Sequence, residues 1–126
     1  MASVLIVDDA HDATELLAAI MRRCGHNVRC ATNGREALAE VLKETPDVIV
    51  LDLQMPIMDG RAFLEVLRSY VRLARLPVVV FSALSDGLLM EKIRALHVDS
   101  VLLKGNTSPQ QILGAVTDAV EHRPHA

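Results

Sequence analysis

The sequence predicts an α/β fold, a doubly wound (βα)5 three-layer sandwich around a parallel sheet of strand order 2-1-3-4-5. Three observations predict it. Five short β-type runs alternate strictly with segments of helical period along the 126 residues. Two of those runs, Val48-Ile49-Val50-Leu51 and Val78-Val79-Val80-Phe81, are apolar throughout, the mark of strands covered on both faces. Acidic, hydroxyl and ammonium side chains follow directly on the runs, where open parallel sheets hold their ligands. Strict alternation implies right-handed crossovers and helices on both sheet faces.

Each element has a local cause. Residues 3–7 form the first strand; the helix after it carries Ala13, Leu16, Leu17, Ile20, Met21 and Cys24 on one apolar face and ends at Gly25. The second strand spans 27–31, and Asn33 or Gly34 opens a helix that runs through Glu44 until Thr45-Pro46 stops it. The third strand spans 47–51, and Asp59-Gly60 opens a helix to about Leu73. After the fourth strand, 77–81, a helix runs from Asp86 to about Leu96. The fifth strand spans 99–103, and Ser108-Pro109 places a cap and an N1 proline on the last helix, which ends near His122. One domain over 1–122 is expected, with 123–126 as a frayed tail.

Composition narrows the function. The chain is 51% hydrophobic with only three aromatic residues, so an aliphatic core is expected and disorder is excluded. A net charge of −3 argues against direct nucleic-acid binding through phosphates. Cys24 and Cys30 have no metal-ligand spacing and are expected to be packed, reduced thiols. No apolar run is long enough for membrane insertion, so a cytoplasmic protein is expected.

The strand ends carry the chemistry. Strand 1 ends in Asp8-Asp9, strand 3 in Asp52, strand 4 in Ser82 and strand 5 in Lys104. Taken singly, Asp8 or Asp9 reads as a helix N-cap, Ser82 as a loop hydroxyl and Lys104 as a solvated lysine. Asp52, directly after a buried run, is harder to dismiss. Together they set three carboxylates, a hydroxyl and an ammonium on one sheet edge. Carboxylates so crowded raise one another's pKa unless a cation lies among them. Oxygen-only ligands in a half-open site suit Mg2+. A carboxylate beside that ion, with a hydroxyl and a lysine to meet phosphoryl oxygens, is the equipment for an aspartyl-phosphate.

The segment Asp52-Leu53-Gln54-Met55-Pro56-Ile57-Met58-Asp59-Gly60 closely resembles the phosphoacceptor loop of two-component response-regulator receiver domains. Leu5-Ile6-Val7-Asp8-Asp9, Ala31-Thr32-Asn33-Gly34-Arg35-Glu36-Ala37-Leu38 and Val80-Phe81-Ser82-Ala83 resemble the rest of that pattern. The likeness runs over essentially the whole chain, and the spacings, 30 residues from Asp52 to Ser82 and 22 on to Lys104, fit it. It implies a flavodoxin-like fold and a stand-alone phosphoacceptor switch of a phosphorelay, not a classical enzyme. It implies phosphorylation of Asp52 by a histidine kinase or histidine phosphotransfer protein, with an unknown downstream protein as the output. Asp9 and Asp52 would ligate Mg2+ directly, Asp8 through water, and the Gln54 backbone carbonyl would be a further ligand. Ser82 would bond a phosphoryl oxygen and move inward as the switch, Lys104 would pair with Asp52 or its phosphate, and Ala83 would leave room for the phosphoryl group.

The sequence also departs from the family. Val101 stands at the usual switch aromatic and has no ring to swing. The family's Lys-Pro is Lys104-Gly105; a cis bond before glycine costs about 2.5–4 kcal/mol, so a trans peptide is expected. His97 replaces a frequent glycine and is expected at φ > 0. Arg61, Arg68, Arg72 and Arg75, with Glu65 among them, read as a solvated face with one ion pair, or else as a patch for an acidic partner. Gln54 and Leu84 flank the line of a hydrolytic water; Leu84 cannot position one, so slow self-dephosphorylation is expected. Leu88, Leu89 and Met90 beside Ile93 and Leu96 suggest a docking surface shared with strand 5 and helix 5. A haloacid-dehalogenase-type phosphatase would want a second Asp where Gln54 stands. An FMN carrier would want a hydroxyl- and glycine-rich loop in place of Asp8-Asp9-Ala10-His11. The remaining alternative is a degenerate receiver acting only as a protein-interaction module, which the intact Asp8, Asp9, Asp52, Ser82 and Lys104 oppose.

Overall fold

Strands and helices alternate in the computed structural model, which describes residues 2–122; the expected tail, 123–126, lies outside the described residues. The elements are β1 (Ser3–Val7), α1 (His11–Arg23), β2 (Asn27–Ala31), α2 (Gly34–Lys43), β3 (Val48–Leu51), α3 (Gly60–Ser69), β4 (Val78–Ser82), α4 (Gly87–Arg94), β5 (Ser100–Leu103) and α5 (Pro109–Glu121). All pairings are parallel, and the strand order is β2-β1-β3-β4-β5, as expected. β2 and β5 are the sheet edges, and no residue of β5 is fully buried.

The two-residue period of the strands divides the core. Leu5, Val7, Ile49, Leu51, Val78 and Val80 pack with Phe63, Leu64, Leu67 and Ile93 in the layer of α2, α3 and α4. Val4, Ile6, Val48, Val50 and Val79 pack with Leu17, Ala18, Met21, Ile112 and Val116 beneath α1 and α5. Each fully buried aliphatic side chain contributes about 1.5–3 kcal/mol, so the central strands have no use for polar residues until they leave the sheet.

The helix ends refine the sequence picture. Neither Asp8 nor Asp9 caps α1; its N-cap is Ala10, without a side-chain bond. Asp8 Oδ1 instead accepts from Ala10 N at 2.9 Å, which fixes that carboxylate. Gly25, at φ +91°, ends α1, with His26 N donating to Met21 O at 3.2 Å. The buried face of α1 is Thr14, Leu17, Ala18 and Met21, rotated from the expected one. Thr14 and Ala18 are buried on that face, and Leu16, expected there, stands 66% exposed. Cys24 is exposed at the end of α1 rather than packed, while Cys30 on β2 is half-buried. Burial and the Glu15 carboxylate push the Cys30 thiol up.

α3 stops at Ser69, short of Leu73, because Tyr70 is extended (ψ 123°); a 3-10 turn, Val71–Leu73, completes the segment. Asp86 caps α4 as expected, accepting from Leu88 N at 2.8 Å. His97 takes φ +59°. Ser108 and Gln111 close a capping box at α5, behind Pro109. The described residues contain no cis peptide bond, and Gly105 sits at φ +91°.

Candidate functional site

Parallel register brings the strand exits together. Val7 pairs with Leu51, so Asp8 and Asp52 leave the sheet side by side. Asp52 N donates to Val7 O at 2.9 Å, and Lys104 N donates to Ser82 O at 3.0 Å, extending both ladders by one bond. Asp8, Asp52 and Ser82 are buried, whereas Asp9 is exposed. One carboxylate oxygen from each of Asp8, Asp9 and Asp52 lies within 4.8 Å of the others. All three line an open cleft with Gln54, Ala83 and Lys104.

Lys104 lies between the two buried acids. Its Nζ is 2.7 Å from Asp8 Oδ2 and 3.4 Å from Asp52 Oδ2, so the shorter contact is to Asp8. Nζ also stands 5.6 Å from the centroid of the Phe81 ring. Burial raises the Asp52 pKa above its ordinary value, and the Asp8 charge raises it further; Lys104 and the Gln54 N–H only partly offset them. For Lys104, burial lowers the pKa, but the Asp8 hydrogen bond and the two carboxylate charges outweigh it and hold the ammonium above the usual lysine range.

Ser82 Oγ accepts from Leu84 N at 3.2 Å. Leu84 is partly buried against the α2–α3–α4 layer, as is Val101.

The loop from Asp52 to α3 is held by close backbone contacts. Gly60 N donates to Leu53 O at 3.1 Å. A Cβ on Gly60 would run into Asp52 O and lie 2.7 Å from Leu53 Cα, so only glycine allows α3 to start against the acceptor. Asp59 Oδ1 caps that helix, accepting from Ala62 N at 2.8 Å. Gly34 N donates to Met58 O at 2.8 Å, tying the start of α2 to the same loop.

Three features were not anticipated. Ile57 lies at φ +68° inside a three-residue turn closed by Met58 N donating to Pro56 O at 2.7 Å. That conformation is strained for a β-branched residue, and the side chain is 74% exposed. Arg68 leaves the expected arginine stripe and turns inward. Its guanidinium donates to Leu96 O at 2.8 Å, Leu73 O at 3.1 Å and His97 O at 3.1 Å. Arg61 makes the one ion pair of that stripe, with Glu65 at 2.9 Å. The third is Phe81 beneath the Lys104 ammonium; strand parity in the sequence could have found it, since both lie on one face of neighbouring strands.

The family model of the response regulator receiver domain matches residues 4–117. A gliding motility regulatory protein of Myxococcus xanthus is 35% identical over 115 residues, covering 90% of this chain and 14% of that protein. The autoinducer 2 sensor kinase/phosphatase LuxQ of Vibrio cholerae is 30% identical over 122 residues, covering 97% of this chain and 14% of that protein. The solved chemotaxis protein CheY4 of Vibrio cholerae superposes with a TM-score of 0.86 at 28% identity, covering 94% of this chain and 98% of that one. The chain spans 14% to 35% of the length of the first curated relatives. Among the described residues, no helix is long and apolar enough to cross a membrane. With the family's pattern over nearly its whole length, the 2-1-3-4-5 sheet and the acids gathered at its carboxyl edge, the chain belongs to the response regulator receiver domains, the signalling switches of two-component systems.

Proposed function

We propose that Asp52 is the phosphoacceptor, charged by a histidine kinase or histidine phosphotransfer protein in the cytoplasm, and that the signal leaves by protein docking or phosphate relay. One observation carries this proposal: the Lys104 ammonium bridges Asp8 and Asp52 in a cleft whose three acids lie within 4.8 Å of one another. The donor set fits a hard divalent cation, since it offers carboxylate oxygens and no nitrogen or sulfur. Asp9 and Asp52 would hold Mg2+ directly, with Asp8 through water and the Gln54 carbonyl as a further ligand. Bound there, Mg2+ supplies positive charge to the transferring phosphoryl oxygens.

The chain's own groups do the rest. An Asp52 oxygen attacks phosphorus as the donor's nitrogen–phosphorus bond breaks. Lys104, already 3.4 Å from Asp52, meets the charge that arrives on the phosphoryl oxygens. Ser82 Oγ spends a lone pair on Leu84 N, so its O–H is free to donate to a phosphoryl oxygen. Ala83 brings no bulk to the cleft it lines. Intact mass after incubation with Mg2+ and acetyl phosphate tests this. A gain of one phosphoryl group that disappears in Asp52→Ala is expected; the same gain in Asp52→Ala would refute the assignment.

A further inference from the structure

The register of β4 and β5 sets Phe81 opposite Leu102. Both pack into the α1–α5 layer, so Lys104, two residues past Leu102, shares their face and lies diagonal to the ring. A diagonal neighbour is within reach of a long side chain, and here Nζ stands over the ring at 5.6 Å, inside the roughly 6 Å range of a cation–π contact. The ammonium has three N–H donors and no acceptor, and its two carboxylate partners lie at 2.7 and 3.4 Å. We propose that Phe81 is a positioning residue for Lys104: its ring face is the third partner of the ammonium and holds it on the line between Asp8 and Asp52. The proposal deepens the phosphoacceptor assignment and rests on it.

Two observations make the ring suited to this task. It is half-buried against the α1–α5 layer and lines a mostly apolar pocket with Ile6, Val50 and Ile112 that Asp8 and Asp52 also border. The ammonium it serves sits on a flexible four-carbon stem, and the next residue is Gly105 in a left-handed turn. A leucine at 81 would fill similar space without an electron-rich face. Confinement near Asp52 then costs nothing at the moment of phosphoryl transfer, when the lysine must already be in place.

The test keeps the shape and drains the ring. Phenylalanine bearing one, two or three fluorine atoms is placed at position 81, beside Phe81→Tyr and Phe81→Leu. Phosphorylation by acetyl phosphate is timed by intact mass at saturating Mg2+. Stepwise slowing with fluorination is expected, reaching about two- to fivefold in the trifluoro form and in Phe81→Leu. Phe81→Tyr should keep the parent rate. A rate indifferent to fluorination overturns the proposal. An independent arm needs no phosphorylation: the Lys104 Hε protons should show an upfield ring-current shift that Phe81→Leu abolishes. Absence of that shift overturns the role of Phe81 alone. Failure of the parent protein to accept phosphate tells against Asp52 instead.

Discussion

Folding holds the Asp52 carboxyl above its ordinary pKa, because burial and the Asp8 charge outweigh Lys104. An acid whose pKa is raised takes up a proton on folding. Its ionised form therefore weighs against stability above the folded pKa, and that weight lifts as pH falls through it. Asp52→Asn is expected to raise the urea midpoint at pH 7 without divalent metal, with the gap closing toward pH 4. A variant less stable than the parent at pH 7, or a gap constant with pH, would contradict this. The acids were legible in the sequence because each ends an apolar run, and a sheet of this order must align those ends. The shorter bond from Lys104 to Asp8 was not legible: the residues are 96 apart in sequence, and the choice turns on less than an ångström. The strain at Ile57 was hidden for a different reason. A β-branched residue is the last to suggest positive φ, and only the turn around it imposes that value.

Among elements, α3 shows how one side chain changes what a helix does. Its helical period predicts the helix, and Asp59-Gly60 predicts its start. Neither foretells that Arg68 reaches three carbonyls, two of them 28 and 29 residues ahead. Those bonds join the end of α3 to the left-handed turn at His97, and so hold the far end of α4. Charged donors to carbonyls contribute about 1.5–3 kcal/mol each when buried, and this group is partly exposed. Arg68→Ala is expected to cost about 2 kcal/mol in chemical denaturation and to speed amide exchange across residues 94–99. Exchange that rises evenly over the whole chain would show that Arg68 does not act on that turn. Of the α4 residues expected to form a docking surface, Met90 and Ile93 are instead buried in the core, and Leu88, at the opposite end of the helix, is 63% exposed.

Across the whole molecule, burial is uneven in a way that sets its dynamics. Every residue of β3 is buried, whereas β5 is half-buried throughout and pairs on one side only. Amide exchange should be slowest in β1 and β3 and faster in β5 and α4, and phosphorylation should alter it within residues 82–105. Changes confined to α1 and α2 would contradict a docking surface built on α4 and β5. The same edge position bears on solubility. An edge strand offers unpaired backbone groups as a template on which another chain can add, the route to sheet aggregation. Here the template has four residues, and Gly105 at φ +91° turns the backbone away just past its end. At the opposite edge the Arg29 guanidinium leaves β2 for the Glu40 and Glu44 carbonyls, which ties that strand to the end of α2. The apolar sheet therefore offers a further strand a border of only four residues at β5, cut off by the left-handed turn at Gly105.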